Sequence, residues 1–156
     1  EWSGIKKSHA YVATAIRNLL FDINPEHASQ ARRELFKHGG IPRLVVLLKR
    51  GPKEAATSAV ACLRDLTPHP EMVDAIVQAE GIQNLIMLLE HGVEEQKALA
   101  SACMCEMSTH DSCQDVMVAC GALIPLVKCL SWGLETSSAA NTDTPGAASH
   151  LLPHPA

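Results

Sequence analysis

The residue types best suited to chemistry in this 156-residue chain are its six cysteines and eight histidines, densest at Cys103, Cys105, His110 and Cys113. Thiolates and imidazoles hold zinc when four of them converge, and the usual sign in a sequence is a pair of Cys-x-x-Cys steps. Here the nearest approach is His110-x-x-Cys113, with no Cys-x-x-Cys anywhere. The histidines are scattered and form no motif with a serine or cysteine nucleophile. Neither a P-loop nor a dinucleotide-type glycine fingerprint occurs. The sequence therefore predicts no catalytic residue, no metal and no cofactor. It does not read as an enzyme.

Charge is the second chemical resource, and it is unevenly placed. Residues 32–53 carry seven basic side chains against Glu34, a balance of +6, whereas 80–115 carry seven acids against Lys97, a balance of −6. The basic stretch could contact phosphates, but no aromatic stands beside it for base stacking and the whole chain is −4. Nucleic acid is thus not the expected partner. No apolar run approaches the roughly 18 residues of a membrane span, so no membrane partner is expected either. The N-terminal stretch "EWSGIKKSHA" is no signal peptide and lacks an initiator methionine, so the sequence is read as an excerpt or a processed piece.

These side chains must be positioned by something, and the sequence shows what. "GGIPRLVVLLKRG" at 39–51 returns as "EGIQNLIMLLEHG" at 80–92 and "GALIPLVKCLSWG" at 121–133, each step being 41 residues. Laying 39–79 over 80–120 gives 13 identities, among them Leu44/Leu85, Leu48/Leu89, Cys62/Cys103 and His69/His110. A period near 40 is the mark of a stacked helical repeat. Each unit reads as three helices. The second carries Ile41, Leu44, Val45 and Leu48 at helical spacing and ends at Gly51. The third starts after Gly51-Pro52, runs to about Thr67 and buries Ala56, Ala59, Cys62, Leu63 and Leu66. The next unit's first helix covers 68–79 with Met72, Ile76 and Val77 inward. Its copy starts at Asp111, where Gln114 completes a capping-box pattern. Asn24-Pro25-Glu26 reads as one more helix start. Gly40 and Gly81 stand where first and second helices cross, suiting close approach and a left-handed turn. Cys62, Cys103 and Cys129 fall inside these apolar patterns. As small core residues with no secretory feature, they point to a reduced intracellular setting, cytoplasmic or nuclear.

A three-helix unit of this length, with "GGIPRLVVLL" opening the second helix and "AVACLRDL" ending the third, resembles the armadillo repeat. The resemblance covers about residues 8–133 and implies an all-α fold, a right-handed alpha-solenoid of period 41. Its divisions are a partial repeat at 8–38, repeats at 39–79 and 80–120, and an incomplete one at 121–133. "AYVATAIRNLL" at 10–20 is then a third helix, so the chain begins mid-repeat. Similar proteins bind other proteins, typically extended peptides, along a concave groove lined by third helices. An asparagine near the end of that helix holds the ligand backbone in the peptide-binding members. Asn18 matches it, while Asp65 and Glu106 occupy the same position in the next units. The tryptophan expected four residues earlier is replaced by Thr14, Ala61 and Ala102, so a nuclear-import receptor is not expected. Asp65 and Glu106, joined one face up by Glu54 and Glu95, make an acidic strip suited to a basic peptide. The implied function is a protein-binding module or scaffold. The alternative is the substrate-recognition segment of a larger enzyme such as a U-box ubiquitin ligase.

After Gly133 the chain turns small and polar, and 134–156 is expected to be disordered. Leu123, Ile124, Leu126, Val127 and Leu130 would then have no third helix over them, leaving an edge suited to self-association. Trp132, at the end of the last second helix, reads as a cover for the end of the core.

Overall fold

The computed structural model describes residues 3–21 and 24–139, with side chains over 8–21 and 24–131. Among the described residues there are nine α-helices and no strand. They are α1 (Ser3–Leu20), α2 (Pro25–Lys37), α3 (Gly40–Arg50), α4 (Lys53–Leu66), α5 (Pro70–Gln78), α6 (Gly81–His91), α7 (Glu94–Met107), α8 (Asp111–Ala119) and α9 (Leu123–Ala139).

Contacts follow the 41-residue period. α1, α4 and α7 pack in succession, as do α3, α6 and α9, while α5 packs on α8. Within a unit, α3 lies on α4 and α6 on α7. Ile41, Leu44, Val45 and Leu48 are buried on α3, and Ile82, Leu85, Leu88 and Leu89 on α6. α4 contributes Ala56, Ala59, Cys62, Leu63 and Leu66 as its pattern predicts, and also Ala55, Val60 and Ala61. That wide buried face is possible because α4 is covered on two sides by sister helices and on a third by α3. Its small residues let those neighbours approach.

Punctuation between helices is local chemistry. Asn24 caps α2, its side chain accepting from the Glu26 N–H at 2.9 Å, with Pro25 as the first helical residue. Pro52, expected as the first residue of α4, instead caps it from an extended conformation. The turn between first and second helices divides two tasks expected of one glycine. The left-handed residue is Gly39, Glu80 or Gly121, at φ 65°, 61° and 72°. The residue after it makes the close approach: a Cβ on Gly81 would lie 2.4 Å from Ile76 Cγ2 and 2.7 Å from the Ile76 carbonyl oxygen. α5 and α6 meet there at 78°, and α8 and α9 at 83°.

Three sequence expectations change. Gln114 makes no capping box, because His110 is the cap residue of α8 and Asp111 is already helical. Its Nε2 donates to the Ser108 carbonyl at 3.0 Å instead. The back-reaching half of such a box appears on α7, where the Val93 N–H donates to Gln96 Oε1 at 3.2 Å; valine itself has no acceptor to complete it. Leu126 is partly buried, because α9 lies against α6 and turns that residue toward the core. Finally, α9 continues through Gly133 to Ala139, whereas Gly51 and Gly92 end their helices. Those two are followed by residues in extended conformation, Pro52 and Val93. Leu134-Glu135 after Gly133 are good helix formers, and a helical glycine costs only about 1 kcal/mol. The boundary expected at 133 therefore moves to 139; the rest of the expected tail, 140–156, and the side chain of Trp132 lie outside the described residues. No single helix among the described residues is long and apolar enough to cross a membrane.

Candidate functional site

The helices α1, α4 and α7 bring Asn18, Asp65 and Glu106 to matching places near their C-terminal ends. Asn18 and Glu106 are exposed. Asp65 is not an available acid. Its side chain is only 7% exposed, and both carboxylate oxygens are occupied by guanidinium groups. Arg17 Nε donates to Oδ2 at 2.5 Å, while Arg64 donates to Oδ1 from Nη2 at 2.6 Å and from Nε at 3.0 Å. A carboxylate drawn out of water costs several kcal/mol, and such charge-assisted bonds offset that cost. Arg17, Arg64 and Asp65 together carry one net positive charge, so the expected acidic strip is interrupted at its centre.

Asp65, Arg64 and Glu106 border one cleft of about 550 Å³, whose apolar wall includes Leu20, Phe21, Pro25 and Pro68. Arg32 and His69 also line it. Arg32 is tied down, with Nη2 donating to Ser29 Oγ at 2.9 Å. Glu54 and Glu95 are exposed but belong to the first turns of α4 and α7. Eleven residues of helix put them about 16 Å from Asp65 and Glu106 along the axes. There they favour the positive ends of their helices, and they do not join the cleft.

Neighbouring layers are linked by further polar bonds. Thr14 Oγ1 donates to Ser58 Oγ at 3.3 Å between α1 and α4. Gln96 Nε2 donates to the Lys53 carbonyl at 3.0 Å and to Thr57 Oγ1 at 3.1 Å. The His110 Nε2 lies 3.2 Å from the Thr67 carbonyl.

The cysteines are free. Cys62 and Cys103 are core residues; Cys129 is half-buried and Cys105 exposed. Burial pushes the Cys62 thiol from 9.0 up to about 12, with Asp65 adding and Arg17 opposing. Cys103 rises to about 12 for the same leading reason, with Arg64 opposing. Such thiols are poor nucleophiles. Among the described residues no group of three His, Cys, Asp or Glu side chains could hold a metal ion.

Sequence reasoning missed Arg17 and Arg64. A signal existed: Ile16-Arg17-Asn18-Leu19 and Leu63-Arg64-Asp65-Leu66 align, so each of these third helices places an arginine before the polar position. What the alignment could not show is that both arginines turn to the same carboxylate.

Fold and surface define an all-helical protein with a repeat-like arrangement among the described residues. Compared with family models, curated proteins and solved structures, the chain matches none.

Proposed function

We propose that the chain is an armadillo-type solenoid, right-handed like that family, acting as a non-enzymatic protein-binding module or scaffold inside the cell. Its ligand is an extended, basic segment of a partner protein, lying across α1, α4 and α7. The observation that carries this reading is the cleft shared by Asp65, Arg64 and Glu106, which successive third-position helices border at matching places. Its apolar wall suits the stem of a lysine or arginine, and the exposed Glu106 carboxylate suits its head. Asn18 offers an amide that can both donate to and accept from a ligand backbone. Asp65 acts from within, holding Arg17 and Arg64 in place, and Glu54 and Glu95 extend the negative field at the far ends of α4 and α7.

The test is fluorescence anisotropy with lysine- and arginine-rich peptides and charge-reversed controls, at low and high salt. Wild type is expected to prefer the basic peptides. Glu106→Gln should weaken binding about fivefold, the equivalent of roughly 1 kcal/mol for a partly exposed ion pair. Equal binding of basic and acidic peptides, or no effect of Glu106→Gln, would remove the cleft from the reading.

A further inference from the structure

The two ends of the helix stack expose the two halves of one contact. Leu48 on α3 and Leu89 on α6 are 3% and 2% exposed, covered on the sides where α4 and α7 pack. Leu130 occupies the same position of α9 and is 73% exposed; Leu123 and Val127 are open beside it. α9 has the apolar face of its sisters, and no helix among the described residues covers it.

At the opposite end, α1 has the role of that covering helix, since it packs on α4 as α4 packs on α7. Among the described residues no helix lies on the side it would cover. Val12 is 56% exposed where α4 carries the fully buried Ala59, and Leu19 is exposed where α4 carries the buried Leu66. Beside Val12 and Ile16 lies a cleft of about 450 Å³, closed by Leu35 of α2 and by Leu44 and Leu47 of α3. α3 itself rests on α4, α5 and α6. A cleft bounded by α1, α2 and α3 is therefore the same seat one period earlier, with no helix among the described residues in it.

Charge complements the junction around α9 rather than on it. Arg43 of the +6 stretch lines the cleft, the −6 stretch lies on α6, α7 and α8, and α9 itself carries Lys128. α5 already shows how α8 meets its neighbour, with Ser112 Oγ donating to Asp74 Oδ1 at 3.0 Å. Repeating that contact across a junction would set Asp111 and Asp115 of α8 against α2, which offers Arg33 and Lys37 beside the tied-down Arg32 and is offset in part by Glu26 and Glu34.

We propose that a second copy of this chain docks head to tail, α9 of one copy filling the α1–α2–α3 cleft of the next. The contact is heterologous. Each added copy leaves one α9 and one cleft free, so the assembly grows as a continuous helical stack unless its rotation closes a ring.

Sedimentation velocity over a wide concentration range tests it, using Val12→Glu to block the cleft and Leu130→Glu to block α9. Both sites are exposed, so the helical circular dichroism of each variant should equal that of wild type. Wild type is expected to form a concentration-dependent ladder of species, and each variant alone to stay monomeric. An equal mixture of the two variants should form a dimer and nothing larger, because one intact α9 meets one intact cleft. Association of Val12→Glu alone would mean α9 pairs with α9, and association of Leu130→Glu alone would mean cleft pairs with cleft. Either overturns the proposal. So does a wild type that is monomeric throughout.

Discussion

Arg17 on α1 and Asp65 on α4, 48 residues apart, are joined by a bond of 2.5 Å across the contact between the two helices. This one pair ties the partial first unit to the next and withdraws the most central acid of the candidate surface from a ligand.

Asp65→Ala should therefore act first on stability, lowering it by about 2 kcal/mol through the loss of bonds to charged donors. Arg17→Ala should cost about 1 kcal/mol or less, since Arg17 is 42% exposed and Arg64 remains to hold the carboxylate. A double-mutant cycle by urea denaturation measures the coupling. Full additivity would show that the two side chains do not interact in solution.

Adjacent residues at the α5–α6 turn should respond with opposite signs. Glu80 holds a left-handed backbone that costs a residue with a Cβ about 1 kcal/mol, so Glu80→Gly should raise stability by about that amount. Gly81→Ala should lower it by about 1–3 kcal/mol, because the new methyl meets the Ile76 carbonyl as well as its side chain. Paired thermal melts of the two variants decide the matter.

Gln96 is a buried polar side chain whose amide serves Val93, Lys53 and Thr57 at once. The repeat places Ala55 at the equivalent point of α4, so the fold itself does not demand glutamine there. Gln96→Ala should nevertheless cost about 1–3 kcal/mol, since it removes the Val93 partner and both bonds that reach from α7 to α4. Amide exchange at Val93 should quicken in the variant. Unchanged exchange would mean water replaces the glutamine without loss.

The buried thiols give the fold an alkaline limit. Cys62 and Cys103 stay protonated in the folded chain up to about pH 12, while in the unfolded chain they ionise near 9.0. A folded value raised above the unfolded one contributes full stability below pH 9 and loses it as pH rises towards 12. Over that window each thiol should remove about 1.4 kcal/mol per pH unit. Denaturation midpoints of wild type and Cys62→Ala/Cys103→Ala, followed from pH 7 to pH 10, read the slope. Equal slopes would mean the two thiols ionise without unfolding. In the native state the exposed Cys105 should react with a thiol reagent well before either of them.

Much of this architecture was legible in the residues alone. Helix periodicity depends on neighbours three and four positions apart, so the apolar spacing of Ile41, Leu44, Val45 and Leu48 marked a buried face before any packing was known. The 41-residue recurrence marked which helices are sisters, and Asn24-Pro25 marked a helix start. Only the tertiary structure decided the fate of Asp65, because the second of the two arginines that answer its charge comes from another helix. Extra residues between α1 and α2 set α1 47 positions from α4 rather than 41, and Arg17 reaches Asp65 only once the helices lie together. The same holds for Leu126, covered by α6 while Leu123 and Leu130 stay open. Local spacing states that a face is apolar; which part of it meets a neighbour depends on helices remote in sequence.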